Sequence, residues 1–274
     1  SIQMHPSAAQ AIDLHAIDPV RYPDTNHKPE LAIAISRVEL LHGIRPLEEI
    51  NGWIKQVPEF SALLSLSVIK EKSSLRRVFA DLYAASDTQI ANACNALRLR
   101  LGQQPQLAPE ERWALRMTSE FPQGDRGIFV FFLLNYAVLE PLEAIYTAPG
   151  ILHAYLSGDL FECMANSDNV VRAGLTKKFC DEKTLLEFMD YQPHEFVPLK
   201  ATSNTGVYEY LSEAKEFALQ LYINFSGPLD LGVSGGPELA FLYQGNAKAS
   251  LETALDLAVG QAFFVPANIK SFQV

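Results

Sequence analysis

The chain has 274 residues, of which 48% are hydrophobic, and a formal net charge of -10. A chain of this size folds as one elaborate domain or as two to three smaller ones, and its acidic charge argues against nucleic-acid binding, which requires a basic surface. Its three cysteines are too scattered for a disulfide framework or a thiolate zinc cluster, and no apolar run reaches the ~20 residues of a membrane helix. We therefore expect a cytoplasmic protein without a nucleic-acid or membrane partner.

The first segment, residues 1–45, has the pattern of β-strands. Residues 31–35 read Leu-Ala-Ile-Ala-Ile, and turn residues stand at Asp18-Pro19 and Tyr22-Pro23, which favours short strands joined by tight connections. The chain starts at Ser1 without a methionine and inside an apparent strand, so we expect that an N-terminal segment is missing.

Residues 46–121 change to a helical period. Leu75, Val78, Phe79 and Leu82 recur at three and four residues, which places them on one face of a helix. Ser86 followed by Gln89 predicts a capping box at the start of another helix. The pattern predicts a helical block inserted into a β-domain.

Strand-like sequence returns at residues 122–190, where 128–132 and 143–146 are predicted strands. From residue 191 to 274, short apolar segments alternate with Gly, Pro and Asn turns, which is typical of a second small β-domain. Its strand candidates are residues 206–211, 217–223, 238–243 and 262–265.

Four side chains with oxygen or nitrogen donors lie in three separate patches, namely Gln3 with His5, Glu30, and His153. Residues two apart in a strand project to the same side, which pairs Gln3 with His5 and Lys28 with Glu30. Two imidazoles, a carboxylate and an amide carbonyl suit a catalytic zinc ion with room for substrate.

Three strings resemble the type I phosphomannose isomerase family. They are Ser-Ile-Gln-Met-His-Pro at residues 1–6, Tyr-Pro-Asp-Thr-Asn-His-Lys-Pro-Glu-Leu-Ala-Ile-Ala at 22–34, and the long run from His153 to Thr176 that begins His-Ala-Tyr-Leu-Ser-Gly-Asp. The resemblance implies a mainly β fold, with a cupin (jelly-roll) catalytic domain, an inserted helical domain and a second cupin-like β-domain at the C-terminus.

The resemblance also implies one zinc ion and a set of active-site residues. Its metal ligands fall on Gln3, His5, Glu30 and His153. Its other active-site positions fall on Ser1, Lys28, Glu162, Asp168, Arg172 and Lys178. The chain departs from the family at Leu142, where a glycine is common, and this puts the backbone shape of that turn in doubt.

The family reaction interconverts mannose 6-phosphate and fructose 6-phosphate through a cis-enediol, so the resemblance implies an isomerase of phosphorylated sugars. A cation beside the sugar oxygens would stabilise the charge that develops there. The proton-transferring group needs a pKa near neutrality, and a lysine near a cation (Lys28) or a desolvated carboxylate (Glu162) would meet that need. The sequence leaves both open.

Arg172 offers a planar fork for phosphate or enediolate, with Lys178 and Ser1 at the phosphate end. Asp168 is expected to orient Arg172 or a sugar hydroxyl. We expect a monomer. Two other functions fit the pattern: a non-catalytic sugar-binding or regulatory cupin, and an iron-dependent cupin oxygenase.

Overall fold

The computed structural model describes residues 1–204, 206–223, 230–231, 235–249, 255–269 and 272–274. The chain divides into two compact units. The first unit comprises Ser1–Ser203 and Tyr208–Leu221, and the second comprises Asn204–Val207 and Tyr222–Val274. Among these described residues, no helix combines the length and the apolar character that crossing a bilayer demands.

Two antiparallel sheets form the β-part of the first unit. Their strands are β1 (Ile2–Met4), β2 (Glu30–Ala34), β3 (Val38–Ile44), β4 (Leu134–Leu139), β5 (Ala144–Thr147), β6 (His153–Ser157), β7 (Leu160–Met164) and β8 (Val171–Gly174). One sheet has the order β4-β3-β6-β1-β8, and the other has the order β5-β2-β7. Side chains of both sheets meet in one apolar cluster, which includes Ala32 of β2 and Leu40 of β3. The two sheets therefore face each other, as in a jelly roll.

Helices cover the outer face of the five-stranded sheet. They are α1 (Ala8–Ile17), α2 (Leu47–Gln56), α3 (Pro58–Ser61), α4 (Lys72–Ala84), α5 (Asp87–Leu101), α6 (Pro109–Glu120), α7 (Gly127–Val130) and α8 (Glu182–Phe188). Ile2 and Met4 of β1 share one buried cluster with Leu75 and Phe79 of α4. This large apolar contact anchors the helices to the sheet.

The capping box predicted at Ser86 is confirmed. The Ser86 hydroxyl accepts a hydrogen bond from the Gln89 backbone at 3.2 Å, and the Gln89 side chain accepts one from the Ser86 backbone at 2.9 Å. These bonds satisfy two backbone donors at the start of α5.

The strand predicted at residues 128–132 is wrong. Residues Gly127–Val130 form the short helix α7, and β4 begins only at Leu134. All five residues from 128 to 132 are buried, so their sequence lacks the alternation that marks a half-exposed strand. An unbroken apolar run does not distinguish a buried strand from a buried helix. The aromatic contact of Phe129 with Phe60 places this turn in the helical core.

The strands predicted near the C-terminus are confirmed where they fall on described residues. The remaining strands are β9 (Thr202–Asn204), β10 (Val207–Tyr210), β11 (Leu219–Tyr222), β12 (Asp230–Leu231), β13 (Glu238–Phe241), β14 (Ala247–Ala249), β15 (Leu255–Leu257), β16 (Ala262–Val265) and β17 (Phe272–Gln273). In the second unit, β12 pairs with β17, β13 with β16 and β14 with β15, all antiparallel. Parts of the predicted C-terminal domain, such as residues 224–229 and 250–254, lie outside the described ranges.

The turn at Leu142 adopts a left-handed backbone. Leu142 has φ 76°, a conformation that costs a residue with a Cβ atom roughly 1–2 kcal/mol. The Leu142 amide donates to the Ala34 carbonyl at 2.8 Å, and the Leu142 carbonyl accepts from the Tyr210 hydroxyl at 2.8 Å. These contacts hold the shape that glycine adopts without strain.

We predict that Leu142→Gly is more stable than Leu142→Ala by about 0.5 to 1 kcal/mol. Relief of the left-handed strain outweighs the larger chain entropy of unfolded glycine, which is about 0.4–1 kcal/mol. Leu142→Ala is the matched control because it loses the same side-chain atoms beyond Cβ but keeps the strain. Urea denaturation of the two variants measures the difference, and an alanine variant as stable as the glycine variant would contradict the strain.

Candidate metal centre

Three of the predicted metal ligands meet inside the jelly roll. His5 directly follows β1, Glu30 is the first residue of β2, and His153 is the first residue of β6. His5 Nε2 lies 3.1 Å from Glu30 Oε1, and His153 Nε2 lies 3.2 Å from Glu30 Oε2. All three side chains are buried, and one donor atom from each lies within 4.8 Å of the others.

Alternation along the strands explains why these side chains point inward. In β1, Ile2 and Met4 pack on the helices, which leaves Gln3 on the inner side. In β2, Ala32 and Ala34 belong to the inner core, so Glu30 shares their side. The period of two residues therefore collects the donors between the sheets.

The two histidines are oriented as metal ligands. His5 Nδ1 lies 2.7 Å from the Asn169 carbonyl, and His153 Nδ1 lies 3.0 Å from the Ile151 carbonyl. A carbonyl only accepts, so each Nδ1 carries the proton and donates, which leaves Nε2 bare. Both Nε2 atoms are buried and make no hydrogen bond, although each lies near Glu30. Bare nitrogens beside a carboxylate fit a divalent cation.

Gln3 and Lys28 flank these three ligands. Gln3 pairs in register with His153 across β1 and β6, and its Oε1 accepts a hydrogen bond from the Ser1 hydroxyl at 3.1 Å. Lys28 Nζ lies 3.6 Å from Glu30 Oε1. The role of Gln3 as a fourth ligand stays a prediction, whereas the predicted pairing of Lys28 with Glu30 is present.

Glu162 lies on β7, where it pairs in register with Ala32 of β2. The Tyr155 hydroxyl donates to Glu162 Oε1 at 2.8 Å. Burial and the nearby Glu30 carboxylate raise the pKa of Glu162. Burial would also raise the pKa of Glu30, but hydrogen bonds and positive charge from His153 and His5, when these imidazoles carry a proton on Nε2, outweigh it and hold that pKa well below the ordinary value. The pKa values of the two carboxyls are thereby shifted in opposite directions.

The other predicted site residues are more dispersed. Arg172 lies on β8 in register with Gln3, and it lines a cavity of about 140 Å³ together with Arg21 and Asp181. Lys178 is exposed. The side chain of Asp168 is exposed as well, and its backbone amide donates to Asp24.

The expected contact of Asp168 with Arg172 is absent. Within the described ranges, no ion pair links these two residues. The carboxylate of Asp168 is therefore left to contact solvent or a ligand, and the alternative that it meets a sugar hydroxyl stays a prediction.

Sequence reasoning missed three residues that support the site: Tyr155, Asp24 and Asn169. Tyr155 stands two residues after His153 and so shares its side of β6. This spacing could have placed Tyr155 near the site from the sequence. Asp24 and Asn169 both lie inside the strings that resemble the known family, but no local spacing connects them.

Two facing sheets that enclose two histidines and a glutamate define a metal-binding jelly roll of the cupin class. Residues 1–47 match the model of the phosphomannose isomerase type I catalytic domain. The mannose-6-phosphate isomerase of Ogataea parapolymorpha is 36% identical over 293 residues, which cover 97% of this chain and 68% of the relative. A probable mannose-6-phosphate isomerase of Dictyostelium discoideum is 38% identical over 284 residues, covering 98% of this chain and 63% of the relative.

A crystal structure of zinc-bound mannose 6-phosphate isomerase superposes with a TM-score of 0.89 and 26% identity, covering 100% of this chain and 72% of that one. The chain belongs to the type I phosphomannose isomerase family. It spans about two thirds of the length of the curated relatives named here.

We predict that Glu162→Gln stabilises the metal-free chain at pH 7. Because the pKa of Glu162 is raised in the folded state, its ionisation favours unfolding above the ordinary carboxyl pKa, and an amide removes this cost. The gain should vanish below pH ~4, where the carboxyl is protonated in both states. Denaturant unfolding at several pH values measures it.

Glu187→Gln is the control for this comparison, because it makes the same replacement at an exposed position of α8, outside the site. A Glu162→Gln variant that is less stable than the parent at pH 7 would contradict the raised pKa.

Proposed function

We propose that this chain carries the active site of a zinc-dependent aldose–ketose isomerase that interconverts mannose 6-phosphate and fructose 6-phosphate. One observation carries the proposal. The bare Nε2 atoms of His5 and His153 converge on Glu30 inside a jelly roll, with Lys28 and Glu162 close by. The names of the curated relatives support the substrate pair.

The proposed zinc ligands are Gln3, His5, Glu30 and His153, with one ion per chain. The zinc-bound relative supports the choice of metal, and so does the mixture of nitrogen and oxygen donors. One carboxylate and three neutral ligands leave a net charge of about +1, so bound zinc would supply Lewis-acid stabilisation of charge on the sugar oxygens.

We propose Glu162 as the residue that moves the proton between the two sugar carbons, through a cis-enediol. Its raised pKa brings the carboxyl toward the working range of a general base, and its hydrogen bond from Tyr155 fixes the direction of the free oxygen. Lys28 is the competing candidate. Its ammonium lies 3.6 Å from Glu30, a position that supports an electrostatic role beside the ligands.

For the phosphate end of the substrate we propose Arg172, Lys178 and Ser1. Arg172 is half-buried on β8, on the inner side of the sheet because Val171 and Ala173 pack outward. A guanidinium presents a planar fork that matches phosphate geometry. Asp168 is assigned to a sugar hydroxyl, which accounts for its exposed carboxylate.

We further propose that the protein works as a monomer in the cytoplasm, with a sugar phosphate as its small-molecule partner and no nucleic-acid partner. The net charge of -10 supports the last point, because a basic surface is needed to displace counterions from nucleic acid.

We predict that His153→Ala abolishes both zinc binding and isomerisation, because it removes one imidazole and leaves Glu30 with a single histidine. Metal analysis and a coupled assay for fructose 6-phosphate on the same preparation measure the two effects. His194→Ala is the control, since the His194 ring lies 3.3 Å from the Gln192 carbonyl and is not among the clustered ligands. Retained metal and activity in His153→Ala would overturn the proposal.

We predict that Glu162→Gln retains zinc but loses activity by about 100- to 10,000-fold, the range for removal of a general base. Tyr155→Phe is the control. It removes only the hydrogen bond to Glu162 and should lose much less activity. A sugar-binding cupin without turnover would give no product in the parent chain, and a dioxygen-dependent reaction would indicate the oxygenase instead.

A further inference from the structure

We propose that Asp24 is a positioning residue, whose carboxylate holds the loop 166–169 so that the Asn169 carbonyl fixes the His5 imidazole with Nε2 free for metal. The proposal deepens the proposed function and rests on it for the identity of the metal. The orientation of His5 itself is a property of the metal-free chain.

The Asp24 carboxylate accepts from four donors, three in the 166–169 loop and one in its own turn. Oδ1 accepts from the Ser167 hydroxyl at 2.8 Å, from Asn169 Nδ2 at 3.0 Å and from the Asn26 amide at 2.9 Å, while Oδ2 accepts from the Asp168 amide at 2.8 Å. A carboxylate has about four acceptor positions, so Asp24 is close to saturated.

These donors keep Asp24 ionised. Burial acts to raise the pKa of Asp24, but the amides of Asp168 and Asn26 and the Ser167 hydroxyl outweigh it and lower that pKa. Hydrogen bonds to an ionised acceptor are shorter and stronger than those between neutral groups. The carboxylate can therefore hold a loop that has no strand pairing of its own.

Asn169 connects this network to the metal ligand. Its side chain is fully buried, and Nδ2 also donates to the backbone carbonyls of Asp24 at 2.8 Å and Asn26 at 3.1 Å. Its own carbonyl accepts from His5 Nδ1 at 2.7 Å. The residue that orients His5 is thus held by three oxygen atoms of the 24–26 turn.

The same turn leads directly into the strand that carries Glu30. Asn26 Nδ2 donates to the Asn166 carbonyl at 3.0 Å, and the Ala165 amide donates to the Pro29 carbonyl at 3.1 Å. The network therefore fixes the His5 ring relative to the Glu30 carboxylate. Replacing residues that orient a metal ligand through hydrogen bonds commonly changes metal affinity by about 10- to 100-fold.

The test replaces Asp24 with asparagine in the full chain. Asp24→Asn keeps the shape, but its amide nitrogen cannot accept from the donors that face it. We expect a loss of zinc affinity of about 10- to 100-fold, measured by competition with a chelator. In the metal-free chain, ¹⁵N NMR of the histidine rings should show His5 with the proton on Nδ1 in the parent, and a tautomer mixture in the variant.

A second variant and a control separate positioning from general destabilisation. Asn169→Ala keeps the carbonyl that His5 contacts but loses its amide anchors, so it should shift zinc affinity and tautomer in the same direction. Asp18→Asn is the matched control. The Asp18 carboxylate accepts from the Arg21 amide at 3.1 Å and pairs with its guanidinium at 3.2 Å. These partners lie within its own turn and not in the 166–169 loop, so no change is expected.

A folded Asp24→Asn variant with unchanged zinc affinity and an unchanged His5 tautomer overturns the proposal, as does a change confined to melting temperature. If Asp24→Asn does not fold, Ser167→Ala is used instead. It removes one donor to Asp24 and the hydroxyl that accepts from the Asn169 amide at 3.2 Å, so it must show a shift in the same direction, and the absence of that shift is equally decisive. If the parent binds no zinc, the proposed function fails, while the tautomer comparison still decides the role of Asp24.

Discussion

The structure depends on the burial of one carboxylate, Glu30, between two sheets. An ionised carboxylate without partners is costly to remove from water, and Glu30 is 2% exposed. Its two oxygens face His5 and His153 on one side, and Lys28 lies near Oε1. Glu30 can therefore stay buried only while the registers of β1, β2 and β6 keep its partners beside it. A bound cation would stabilise the same arrangement.

Small side chains on β2 leave space around that carboxylate. Ala32 pairs in register with Glu162, and the next inward position on β2 is Ala34. Small residues on β2 leave room for a second acid between the sheets, and the Tyr155 hydroxyl supplies its hydrogen bond. The proximity of Glu30 then raises the pKa of Glu162. One strand pair thus creates two carboxyls with different tendencies to ionise.

Local patterns can predict which donors share a side of a strand, because the strand period of two is a short-range property. Gln3 with His5 and Lys28 with Glu30 follow from it directly. The same reasoning failed at residues 128–132, where every position is buried and the period disappears. The contact of Asp24 with Asp168 joins positions 144 residues apart. No local spacing predicts such a contact, so only the three-dimensional structure brings it to light.

The helices stabilise the site without entering it. In β3, Leu41 packs with the helices, whereas Val38 and Leu40 belong to the core between the sheets. Ile44 also packs with the helices, because the register shifts between Leu41 and Ile44. The alternation of β3 therefore separates two functions along one strand, with helix packing outside and the enclosed core inside. Substitutions in the helical core should change the free energy of unfolding through lost burial. Such substitutions would affect the ligands only by shifting the strands of the sheet. The strand register therefore links the helical core to the ligands.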